Sequence, residues 1–130
     1  MHILVAEDDI DDQELLEQAL RTLKPDLDIL FFTNGNKFRL YLDKLEDRNL
    51  PDLILLDYNL PELNGVDILK YMKEKERYSL IPKIVWSTSN SVVFKNQSMA
   101  LGATDYIVKP ITFDSFTSVA GHLLSRITRD

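Results

Sequence analysis

Leu53-Ile54-Leu55-Leu56-Asp57 decides how this chain is read. Four consecutive apolar residues, opened by Pro51 and closed by a carboxylate, have the length and uniformity of a strand buried on both faces, as in a parallel sheet flanked by helices. A polar group directly after such a run lies at the strand's carboxyl end, and in an open α/β sheet that edge is where ligands bind. The arrangement recurs: Ile3-Leu4-Val5-Ala6 runs into Glu7 and Asp8, Ile84-Val85-Trp86 into Ser87, and Tyr106-Ile107-Val108 into Lys109. Residues from both ends of the chain therefore converge on one small acidic site.

Amphipathic stretches separate these runs. Asp9 is a good N-cap for a helix carrying Leu15, Leu16, Ala19, Leu20 and Leu23 on one face, stopped before Pro25. Ile29 to Phe32 reads as a second strand, Asn34-Gly35-Asn36 as a turn, and the following helix turns Phe38, Tyr41, Leu42 and Leu45 inward. The helix after Asp57 presents Val66, Leu69 and Met72. Pro82 opens the fourth strand, and a weaker helical stretch, Ser91 to Leu101, is ended by Gly102. The last helix uses Phe113, Phe116, Ala120, Leu123, Leu124 and Ile127; it is rich in Ser and Thr and contains Gly121, so packing rather than propensity must hold it. Five strand-then-helix repeats predict βαβ units on a parallel sheet.

Composition removes several function classes. At 130 residues, 45% hydrophobic and 28% charged, the chain is expected to be one domain, residues 1–130, with no room for an output domain. A net charge of −6 without a Lys/Arg cluster argues against a phosphate-backbone reader, so no nucleic acid partner is expected. The absence of cysteine excludes disulfides and thiolate metal sites. No apolar stretch reaches spanning length and residues 1–6 are too short for a signal peptide, so the expectation is a cytoplasmic protein with no membrane partner.

Acids at a helix start ordinarily cap free N–H groups and favour the dipole, and Asp9, Asp11 and Asp12 are assigned that role. Glu7 and Asp8 precede the helix at a strand end, and Asp57 holds the equivalent place on another strand. Close like charges either raise a pKa or recruit a cation, and oxygen-only ligands suit Mg²⁺. A carboxylate so placed can act as a nucleophile towards phosphorus when metal and cations absorb the charge on the transferring group. Lys109 supplies a cation and Ser87 a hydroxyl, giving Asp57, Lys109 and Ser87 as the chemical set.

With these residues in order, the chain resembles the receiver domain of two-component response regulators over essentially its whole length. The carrying motifs are Ile3 to Asp8, Leu53 to Asp57 with Leu60-Pro61 and Gly65, Ser87, and Gly102-Ala103-Thr104-Asp105-Tyr106 leading to Lys109-Pro110. The resemblance implies a doubly wound five-stranded parallel sheet of order 2-1-3-4-5, a flavodoxin-like three-layer sandwich. It also implies Asp57 as phosphoacceptor; Mg²⁺ held by Asp57, Asp8 and the Asn59 backbone carbonyl, with Glu7 acting through water; Lys109 on the phosphoryl group; and a cis Lys109–Pro110 bond. In similar proteins a hydroxyl residue moves towards the phosphoryl group while an aromatic on the fifth strand turns inward, here Ser87 and Tyr106. The residue after the hydroxyl is usually very small in the family but is Thr88 here, which either narrows access or is itself the working hydroxyl. Asn59 and Ser89 stand where similar domains tune the attacking water.

The implied function is a stand-alone regulator that takes a phosphoryl group from a sensor histidine kinase or histidine phosphotransfer protein and signals by protein binding. It is not an enzyme beyond self-phosphorylation and autodephosphorylation. The partner face is expected on the fourth helix, fifth strand and fifth helix, around Val92, Val93, Tyr106 and Ile111; the competing reading makes at least two of Val92, Val93 and Phe94 core. A phosphorylation-dependent homodimer is a further possible partner. An aspartate-based phosphohydrolase would need a second acid where Asn59 stands, and a flavin carrier would need a phosphate loop where Glu7-Asp8-Asp9 would repel one. The principal rival is a phosphorylation-independent interaction module. His2 and His122 lack a flanking acid in sequence and are not read as phosphodonors.

Overall fold

The expected central strand forms, as β3 (Leu53–Asp57), and all five of its residues are buried. Residues 1–127 are described by the computed structural model. The chain alternates β1 (His2–Ala6), α1 (Ile10–Leu23), β2 (Asp28–Phe32), α2 (Gly35–Lys44), β3, α3 (Gly65–Lys73), β4 (Lys83–Ser87), α4 (Val92–Ala100), β5 (Asp105–Val108) and α5 (Phe113–Ser125). Short 3-10 turns at Asp47–Asn49 and Glu76–Tyr78 lead into β3 and β4. The strands are all parallel in the order β2-β1-β3-β4-β5, as expected for this class.

Strand alternation divides the core in two. Leu4, Ile54, Leu56 and Val85 face a layer built with Phe38 and Leu42 of α2 and Ile68, Leu69 and Met72 of α3. Ile3, Val5, Leu55, Ile84 and Trp86 face the other layer, with Leu16 and Leu20 of α1 and Phe116, Ala120 and Leu123 of α5. The helix starts follow capping chemistry: Asp9 accepts from Asp12 N–H, Ser91 from Phe94 N–H and Thr112 from Ser115 N–H, while Asn64 and Asp67 form a reciprocal capping box on α3.

Three expectations need correction. Asn34 is not the first residue of a turn before α2; it is the N-cap, its side chain accepting from Lys37 N–H, and the helix starts at Gly35. That glycine abuts the neighbouring loop so closely that a Cβ would lie 1.6 Å from the Leu63 carbonyl oxygen. Neither Val92 nor Val93 is core: they are 69% and 71% exposed, because α4 turns Phe94, Ser98 and Leu101 inward at helical spacing and leaves 92 and 93 on other faces. Finally, the Lys109–Pro110 bond is not cis, as there are no cis bonds among the described residues. The lysine reaches the site without one, since Lys109 N–H extends the β4–β5 ladder to the Ser87 carbonyl at 2.7 Å and this register already fixes its direction.

Candidate functional site

Parity along the strands places the site. Two residues past Val5, Leu55 and Ile107, all facing the α1 and α5 layer, come Glu7, Asp57 and Lys109, which therefore share that side of the sheet's carboxyl edge. The ladder continues beyond the strand ends to hold them there: Glu7 N–H donates to Phe32 O and Tyr58 N–H to Trp86 O, both at 2.9 Å. Gly65 lets α3 start directly against the phosphoacceptor candidate, for a Cβ there would lie 2.4 Å from the Asp57 carbonyl oxygen.

Lys109 is the hub. Its Nζ lies 2.9 Å from Asp57 Oδ2, 2.7 Å from Glu7 Oε1 and 3.2 Å from Asp12 Oδ2. The second Asp57 oxygen, Oδ1, accepts from Asn59 N–H at 2.9 Å, and Glu7 Oε2 accepts from Asp9 N–H at 2.9 Å. Burial lowers the pKa of the ammonium, but Glu7 and Asp57 outweigh it and hold Lys109 above the usual lysine range. Burial likewise pushes the Glu7 carboxyl up to about 8, against the opposing pull of Lys109.

Glu7, Asp8 and Asp57 each offer a carboxylate oxygen, and these oxygens lie within 4.8 Å of one another. Glu7 Oε1 is buried and, although paired with Lys109 by charge, has no partner in line for a hydrogen bond. A buried carboxylate oxygen in that state, beside two more carboxylates and no nitrogen or sulfur donor, suits a hard divalent cation, which would also reverse the penalty on Glu7 ionisation. The open pocket over these groups has a volume of about 430 Å³ and is lined by Glu7, Asp8, Asp9, Asp57, Asn59, Thr88 and Lys109.

Ser87 and Tyr106 lie on the other side of the sheet edge. Ser87 is wholly buried, and its Oγ accepts from Ser89 N–H at 3.1 Å, so Thr88 is the hydroxyl residue that lines the pocket. Tyr106 is half-buried and its hydroxyl donates to the Ser89 carbonyl at 2.7 Å, tying β5 to the loop that follows Ser87 and carries Thr88. Sequence reasoning missed Asp12, assigned to the helix start; a carboxylate one turn into α1 also faces the strand ends, and that periodicity was the available signal. His122, expected to have no acid partner, pairs with Asp105 at 2.6 Å across α5 and β5, an acid far away in sequence.

Comparison with known proteins gives the same answer as the geometry. Residues 3–120 match the family described as response regulator receiver domain. The two-component response regulator ORR3 of Oryza sativa subsp. indica is 32% identical over 111 residues, 85% of this chain and 80% of that protein. Among solved structures, the phosphorylated cyanobacterial phytochrome response regulator RcpA superposes with a TM-score of 0.85 at 29% identity, covering 98% of this chain and 96% of that one. The Mn²⁺-bound form of response regulator Rcp1 superposes with a TM-score of 0.86 at 26% identity, covering 99% and 98%. Receivers are signalling phosphoacceptor domains that interact with histidine kinases or phosphotransfer proteins, and this chain, by its sequence and by its fold, belongs to the response regulator receiver family.

Proposed function

We propose that Asp57 accepts a phosphoryl group from the phosphohistidine of a sensor kinase or phosphotransfer protein, in a Mg²⁺-dependent step. The observation that carries this reading is the state of the Asp57 carboxylate: one oxygen on Lys109, the other on Asn59 N–H, and Glu7 and Asp8 oxygens within metal-sharing distance. A carboxylate oxygen of Asp57 attacks phosphorus as the phosphorus–nitrogen bond of the donor breaks, and the electron pair leaves with the imidazole. Asp8, Asp57 and the Asn59 carbonyl would hold Mg²⁺, with Glu7 contributing through water, and the bound ion would supply charge neutralisation for the phosphoryl oxygens. Lys109 stabilises the same charge with its ammonium. Thr88, already at the pocket, and Ser87, behind it, are the two hydroxyl donors for the aspartyl-phosphate, and Asn59 influences how water reaches it.

Signalling then proceeds by protein binding on α4, β5 and α5, where Val92, Val93 and Ile111 are exposed and Tyr106 links the surface to the loop after β4. A cytoplasmic location fits that role, and no helix among the described residues is long and apolar enough to cross a membrane. Intact-mass spectrometry after incubation with acetyl phosphate tests the proposal. The expected result is a gain of one phosphoryl group that requires Mg²⁺ and is absent in Asp57→Asn, with Trp86 fluorescence reporting metal binding in parallel. A folded protein that responds to Mg²⁺ but gains no mass would refute phosphotransfer and favour a module that signals by binding alone.

A further inference from the structure

Trp86 is the residue just before Ser87, and it is wholly buried beneath the acidic pocket. Alternation sends it to the same side as Asp57 and Lys109, since Asp57 and Trp86 are register partners on β3 and β4. The Lys109 Nζ lies 5.3 Å from the centroid of the Trp86 ring, inside the ~6 Å range of an effective cation–π contact. The indole also meets Phe116 of α5 edge to face, at a centroid distance of 6.3 Å and an angle of 89°. Indole Nε1 is buried without a hydrogen-bond partner, which counts against Trp at a site where an aliphatic residue would bury no polar atom.

Lys109 is surrounded by carboxylates of Glu7, Asp12 and Asp57, so charge alone allows its ammonium several positions among them. A ring beneath it supplies an attractive floor that no carboxylate can, and α5 fixes that ring. We infer that Trp86 is a positioning residue for Lys109, holding the ammonium against Asp57 and linking its position to the packing of α5. The contact stands on geometry alone; its consequence for phosphoryl uptake rests on the receiver reading. Trp86→Leu removes the ring, whereas Trp86→Phe keeps an aromatic face.

Two readouts separate the inference from that reading. In ¹H–¹³C spectra of the unmodified protein, the Lys109 ε-methylene protons are expected upfield of those of the exposed lysines, by ring current, and are expected to return to the common position in Trp86→Leu. In acetyl phosphate reactions with Mg²⁺, Trp86→Leu is expected to slow uptake about three- to tenfold, the range a partly desolvated cation–π contact supplies, and Trp86→Phe to restore most of it. In a Lys109→Ala background the Leu substitution is expected to add little, because the ring acts through the lysine. Lys109 protons at the common position in the unmodified protein would overturn the inference, as would uptake by folded Trp86→Leu at the unmodified rate or an undiminished effect without Lys109. A protein that takes up no phosphoryl group yet shows the upfield shift supports the contact and overturns the phosphotransfer proposed for Asp57.

Discussion

Helices α3 and α4 are both nine residues long and flank the same sheet edge, yet they are held in opposite ways. α3 buries Gly65, Val66, Ile68, Leu69 and Met72 and starts with a reciprocal capping box. α4 buries only Ser98; Tyr58 holds it by stacking on Phe94 at 4.2 Å and donating its hydroxyl to Gln97 Oε1 at 2.6 Å, and Lys73 Nζ donates to the Ala100 carbonyl at 3.0 Å. Tyr58 directly follows Asp57. One helix is thus packed into the core, while the other is held by few buried groups, among them an aromatic that adjoins the proposed acceptor. A helix with little buried apolar surface opens at low cost, so a charge change at Asp57 has a readily displaced element to act on.

The contrast is most easily broken by truncation. Ile68→Ala in α3 is expected to cost about 2–5 kcal/mol in urea unfolding, whereas Val93→Ala in α4 should fall within about 0.5 kcal/mol of the parent. Equal costs would remove the distinction. Gly65→Ala forces a Cβ against the Asp57 carbonyl and is expected to cost about 1–3 kcal/mol while slowing phosphoryl uptake, since the overpacked atom belongs to the proposed acceptor. Phe94→Leu sharpens the comparison: loss of the stack is expected to cost about 0.5–1.5 kcal/mol and to speed amide exchange in α4 while leaving α3 protected.

The smallest effect concerns the far side of β5. Burial pushes the Asp105 carboxyl up, but His122, the Tyr106 N–H and Arg126 together outweigh it and hold the carboxyl below its ordinary value. A carboxyl depressed on folding contributes stability above the ordinary carboxylate range, lost as pH falls through its folded value. The His122 and Arg126 side chains are about two-fifths exposed, so the contribution is expected to be under about 1 kcal/mol, and Asp105→Asn should flatten the fall in Tm between pH 5 and 3 only slightly.

The strands were legible because uninterrupted apolar runs admit few other readings, their order followed from the family resemblance, and the acids and lysine at their ends were legible because a strand end is a fixed address. Site residues on helices were harder to see. Asp12 looked like any acid at a helix start, since charge near a helix N-terminus is self-explanatory until the strands opposite it are known. Val92 and Val93 were expected on the partner face with a core reading as the competitor; the core reading fails because in α4 the inward spacing is carried by Phe94, Ser98 and Leu101. The role of Trp86 depends on which residue lies above it, and no periodicity within one strand contains that.

Hydrogen exchange followed by mass spectrometry, on the protein with and without acetyl phosphate and Mg²⁺, is the most direct test that charge placed on Asp57 is registered at α4. Changed exchange in α4, in the loop through Ser87 and Ser89 and in β5, with α3 unaltered and no response in Asp57→Asn, is the predicted result. Equal changes in α3 and α4, or an unchanged α4 in fully phosphorylated protein, would contradict it.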